Sequence, residues 1–139
     1  MSRILSIDYG KKRTGIAVTD PLQMIANGLA TVETTELIDF LNDYLAKEDV
    51  DTIVVGQPRQ TNGEDSENMK RITPFVNRLR KLHPDTKIEF FDERFTSVLA
   101  HRAILDSGIS KKARQDKALV DKISATIILQ GYMDMKRFN

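Results

Sequence analysis

"ILSIDYGKKRTGIAVTD", Ile4 to Asp20, is the stretch on which the fold turns. Ile4, Leu5 and Ile7 form an apolar, branched run that reads as a buried strand over Arg3–Asp8. Gly10 turns the chain within Tyr9–Arg13, and a second apolar strand returns over Gly15–Thr19. The two make a hairpin with a longer loop. Asp8 stands on the carboxyl end of the first strand, where ligands gather in open α/β sheets. Aspartates also form turns by bonding their own backbone two residues on, so Asp8 alone leaves both readings open.

Outward from the hairpin, Asp20-Pro21 breaks the second strand and Ala26–Glu33 supplies a third. Thr35 can cap a helix reaching Ala46, with Leu37, Ile38, Leu41 and Leu45 at helical spacing. Thr52–Gly56 (TIVVG) is continuously apolar, the mark of a strand covered on both faces. Gly56–Glu67 is a polar loop. A long helix follows over Ser66–Leu82 and ends at Pro84, and Lys87–Phe91 is the last strand. A helix over Thr96–Asp106 closes at Gly108, a basic loop fills Ser110–Asp116, and Lys117–Met135 is the final helix. Three strands in a meander, then strands alternating with helices, predict an α/β fold: a mixed sheet covered by helices.

At 139 residues the chain is expected to be one domain, 1–139. It is 40% hydrophobic and 29% charged, ordinary for a globular protein, and has no cysteine, which excludes disulfides and thiolate metal sites. No signal peptide or membrane span is evident, so a cytoplasmic protein without a membrane partner is expected. A net charge of +1 argues against a general polycation, but the distribution is uneven. Glu33–Asp51 holds seven acids against one lysine, whereas Lys70–Lys87 holds six bases against one acid. Such runs are commonly solvated helix faces; a basic face turned to phosphate is the sharper reading.

The final helix carries Asp121 in "KALVDKISATIILQGY", apolar round most of its circumference and therefore expected to be buried. Asp121 shares a stripe with the small residues Ala118, Ser124 and Ala125, which allows close approach to the sheet. A carboxylate facing a core needs a partner: a neighbour such as Lys117 or Lys122, or a metal. "FFDERFTS" at Phe90–Ser97 supplies further acids, Asp92 and Glu93; one can be a turn or cap residue, and Arg94 can neutralise either. Carboxylates from Asp8, one of this pair and Asp121 would repel one another unless a cation intervened. Oxygen-only donors select a hard divalent ion, Mg2+ or Mn2+, and such sites hydrolyse phosphodiesters, often with two ions about 3.5–4 Å apart. Lys11, Lys12 and Arg13 would then hold the phosphates that an acidic site repels, though a solvated hairpin tip explains them as simply.

"DYGKKRTGIAVTD", "GQPRQTNG", "DERFTS" and "VDKISATIIL" together resemble the YqgF-type family of Holliday-junction-resolvase-like proteins, which are taken to be pre-16S ribosomal RNA nucleases. The resemblance covers about Ile4 to Tyr132. It implies a ribonuclease H-like five-stranded mixed sheet in the order 3-2-1-4-5, with helices on both faces. It implies catalytic, metal-binding acids at Asp8, Glu93 and Asp121. Lys11, Lys12, Arg13, Arg94, Lys111, Lys112 and Arg114 are the expected nucleic-acid contacts. The partner is expected to be RNA, a ribosomal RNA precursor, with branched DNA as the alternative. Two departures stand out. Gly56-Gln57-Pro58 replaces the family's Gly-Leu-Pro, and Ser124 occupies the place of a fourth acid found in true junction resolvases.

Two other classes compete. A nucleic-acid-binding module with a weak or silent site fits three acids and a near-neutral charge. An ATP-handling domain can open with a similar strand and hairpin, but needs a second domain, and the chain has no Gly-x-x-x-x-Gly-Lys-Ser/Thr loop.

Overall fold

The computed structural model describes residues 2–58, 67–92 and 116–137. Within them the strands are β1 (Arg3–Asp8), β2 (Arg13–Thr19), β3 (Ala26–Glu33), β4 (Val50–Gln57) and β5 (Lys87–Asp92). The helices are α1 (Leu37–Lys47), α2 (Met69–Leu82) and α3 (Lys117–Arg137). The expected helix over Thr96–Asp106, the Ser110–Asp116 loop up to its last residue, and most of the loop after Pro58 lie outside the described residues.

The five strands form one sheet in the order β3-β2-β1-β4-β5. β1 pairs antiparallel with β2 and β2 with β3, while β1–β4 and β4–β5 are parallel. The expected mixed sheet and strand order are therefore observed. Because the parallel strands run together, the carboxyl ends of β1, β4 and β5 lie at one edge of the sheet. Asp8 and Asp92 terminate two of them.

Alternation along β1 assigns its side chains to two cores. Leu5 and Ile7 join the core under α1 and α2, with Leu41, Ile72 and Leu79. Ile4 joins the core under α3, with Val54, Phe91, Ile128 and Leu129. Ser6 faces α3 as well, donating to the Ala125 carbonyl at 2.6 Å. By the same period, Asp8 falls on the α3 face. The sheet is thus covered on both sides, which is why the β1 and β4 interiors are apolar without alternation.

Three local expectations change. The segment Thr34–Glu36 is a 3-10 turn and α1 starts at Leu37, with no side-chain cap at Thr35. Thr34 has other partners: its hydroxyl donates to the Gly10 carbonyl at 2.7 Å. α2 starts at Met69 rather than Ser66, and accommodates Pro74 on its exposed side at the loss of one ladder bond. Finally, α3 is not buried all round. Ala125, Ile128, Leu129, Tyr132 and Met133 form the buried stripe, while Leu119, Val120, Ile123 and Ile127 are half-buried.

Candidate active site

The hairpin loop between β1 and β2 is tightly held. A Cβ on Gly10 would lie 2.2 Å from the Arg13 carbonyl oxygen, so the turn needs glycine there. Asn68 Nδ2 donates to the Tyr9 carbonyl at 2.8 Å, and the Thr34 amide donates to the Lys12 carbonyl at 2.9 Å. Thr14 and Thr34 hydroxyls are 2.9 Å apart. Lys11 and Lys12 are exposed on this loop, with the backbone beneath them fixed.

Asp8 is half-buried and pairs across the sheet with Gly15. Gly15 decides what lies above. A Cβ there would sit 2.0 Å from the backbone carbonyl oxygen of Asp121, so the helix backbone rests directly on the strand. Three further contacts fix the first half of α3. Thr31 donates its hydroxyl to the Ala118 carbonyl at 2.5 Å, and Ser6 does so to Ala125. Asp116 caps the helix, accepting from the Ala118 and Leu119 amides at 3.0 and 3.3 Å. The close approach expected from Ala118 and Ala125 is therefore present, and it is completed by a glycine on the strand beneath.

The Asp121 side chain is half-buried and its Oδ2 lies 3.3 Å from Arg13 Nε. Its partner is thus Arg13 from β2, and not Lys117 or Lys122 of its own helix. The Lys122 stem lies over Gly28 instead. Arg13, expected to face phosphate, is in this structure an ion-pair partner. Burial pushes the Asp121 carboxyl above the usual aspartate value, against the opposing effects of the Arg13 hydrogen bond and charge and of Lys117. One guanidinium does not offset the desolvation, so the position favours added positive charge.

Asp92 ends β5, where Ile88 and Phe90 pack towards α1 and α2 while Glu89 accepts from the Tyr132 hydroxyl on the α3 side. Alternation turns Asp92 to the face opposite Asp8. Glu93, Arg94, Lys111, Lys112 and Arg114 lie outside the described residues. Among the described residues, no three histidines, aspartates or glutamates are grouped closely enough to hold a metal ion. The donors present, Asp8 and Asp121, are carboxylates on one sheet face, which suits a hard divalent ion.

The residues that sequence reasoning missed are those that position the acids: Ser6, Thr31, Thr34, Asn68 and Asp116. Ser6 did carry a signal, since it is a polar residue between apolar neighbours inside a strand.

A family profile described as "RuvX: Holliday junction resolvase" matches residues 2–135. A protein of Phocaeicola vulgatus named "Putative pre-16S rRNA nuclease" is 65% identical over 138 residues, covering 99% of each chain. Proteins of the same name from Bacteroides thetaiotaomicron and Flavobacterium psychrophilum are 63% and 53% identical, covering 99% and 98% of this chain and 100% and 99% of theirs. Among solved structures, Thermus thermophilus RuvC bound to a Holliday junction substrate superposes with a TM-score of 0.59 at 14% identity, over 98% of this chain and 97% of that one. A second Thermus RuvC structure gives 0.51 at 11% identity, covering 96% of each chain. At such identities the likeness establishes the ribonuclease H-like fold of the RuvC type.

Proposed function

The chain belongs to the RuvX family, and from that premise we propose that it is a metal-dependent nuclease that hydrolyses phosphodiester bonds of structured RNA in maturing the pre-16S ribosomal RNA end. The observation that carries the site is the stacking of Asp8, Gly15 and the Asp121 backbone. It brings a strand-end carboxylate and a helix carboxylate to the same face of the sheet.

Asp8, Asp121 and Glu93 are the acids assigned to hold Mg2+ or Mn2+. Alternation along β5 turns Asp92 away from that face, which favours Glu93 as the third donor. When bound, the ion supplies an activated water and neutralises charge developing on the phosphate. The chain's own groups do the rest. Arg13 fixes the Asp121 carboxylate and limits repulsion between the acids. Lys11 and Lys12, on a loop held by Thr34 and Asn68, attract the phosphate backbone. Arg94, Lys111, Lys112 and Arg114 add positive charge for the same polyanion. On this proposal the chain is cytoplasmic, with a ribosomal RNA precursor as its partner.

The test is cleavage of a labelled pre-16S RNA fragment and of a four-way DNA junction, each with Mg2+, Mn2+ or chelator, by wild type and Asp8→Asn. The expected result is metal-dependent cutting of the RNA that disappears in Asp8→Asn, whose side chain keeps its shape and loses its charge. Cutting of the junction alone would move the substrate to branched DNA. Binding of RNA without cutting by either protein would leave a binding module.

A further inference from the structure

On the opposite face of the sheet from Asp121, a cavity of about 450 Å³ opens between α1 and α2. Tyr9, Asp39, Arg71, Pro74, Phe75 and Arg78 are among its lining residues. Arg71 and Arg78 are seven residues apart on α2 and so share one helix face, with Pro74 between them. Both are exposed, and neither forms an ion pair with a described residue. Among the described lining residues Asp39 is the only acid, against the two arginines, so these residues carry an excess of positive charge. Tyr9 closes one side, its ring tilted against Phe75 at a centroid distance of 5.0 Å. Burial pushes the Tyr9 phenol above its ordinary value, so it stays neutral and adds no negative charge.

Cations that can form planar forks, an aromatic face and an apolar wall are the elements that take a nucleotide: phosphate on arginine, base on the ring. The volume is within the range of small-ligand sites. Position adds the link to the catalytic face. Tyr9 follows Asp8 directly, and its carbonyl is anchored by Asn68.

We infer that this cavity is a second nucleic-acid contact. It holds one nucleotide of a single-stranded flank of the substrate, its phosphate on Arg71 and Arg78 and its base against Tyr9. The inference rests on the nucleic-acid reading of the Asp8 site.

The experiment measures binding of a labelled ten-nucleotide single-stranded RNA to the full chain in chelator, across a salt series, with adenosine monophosphate as a separate probe. The proteins are wild type, Arg71→Gln/Arg78→Gln and Asp39→Asn. The double variant is expected to bind about tenfold more weakly at low salt. Its slope of log affinity against log salt should be shallower by about 0.7, the contribution of one phosphate contact on a single strand. Asp39→Asn should bind a few-fold more tightly, a gain that misfolding cannot produce. Equal affinity and slope in wild type and double variant would overturn the second contact and leave the catalytic reading intact. No RNA binding by wild type would overturn both. If the double variant lost the mononucleotide but kept the RNA, the cavity would be a free-nucleotide site and the flank assignment would fall.

Discussion

The two halves of α3 lie on the same sheet face and are held there by different physics. Its second half packs by bulk: Ile128, Leu129, Tyr132 and Met133 interlock with Ile4, Val54 and Phe91. Its first half packs by closeness. Ala118, Asp121 and Ala125 bring the helix backbone onto Gly15, and hydroxyls of Thr31 and Ser6 tie down its carbonyls. The apolar half supplies stability and tolerates small adjustments. The polar half sets where a half-buried carboxylate stands relative to Asp8, so on the proposed function small displacements there should cost chemistry before they cost stability.

The sharpest way to break this division is to damage each half separately. Leu129→Ala should lose about 2–5 kcal/mol, read from denaturant unfolding, because a fully buried side chain leaves a cavity. Its nuclease activity at a temperature where it is folded should stay close to wild type. Gly15→Ala should cost less stability, about 1–3 kcal/mol, yet lose most activity, because the new methyl meets backbone and the helix must lift. Gly28→Ala is the control. Its methyl would meet Lys122 Cγ at 2.7 Å, so that side chain must shift, but no backbone stands in the way; activity should fall less than in Gly15→Ala. Equal activity losses in Gly15→Ala and Leu129→Ala would abolish the distinction.

Ser6→Ala probes the hydroxyl tie. Removing one buried hydrogen bond to a carbonyl that keeps its helical partner should cost about 1 kcal/mol by denaturant unfolding. The smallest effect is expected at the far end, beneath the apolar half, where Asp20 accepts from the amides of Leu22, Met24 and Ile25. The Ile25 amide leads in holding the Asp20 carboxyl below its ordinary value of 3.8. A depressed folded-state pKa contributes stability above that ordinary value, and the contribution is lost as pH falls through the folded one. Asp20→Ala should therefore melt slightly below wild type at neutral pH, with the gap closing in acid; a gap that persists at the lowest pH would assign the turn to other contacts.

Much of the fold was legible because the decisive signals are local. The apolar runs of β1 and β4, the periodicity of α2 and the turn at Gly10 each follow from neighbouring residues. So did the candidacy of Asp8 and Asp121, one at a strand end and one on a small-residue stripe. The start of α2 was less legible, because the polar residues ahead of Met69 satisfy helix and loop equally. The ion pair was harder still: Arg13 and Asp121 are 108 residues apart, and closer lysines on the same helix offered a simpler partner.

By itself, then, the sequence determined the mixed sheet, the strand-end carboxylate and the helix that returns to it, since secondary structure follows the spacing of side chains along the chain. Tertiary structure alone decided that Gly15 is the seat of Asp121 and that Arg13 is the partner of that carboxylate. It also decided that Tyr9 opens onto arginines of α2. Each depends on which backbone can approach which, a matter of packing in three dimensions that no local spacing records.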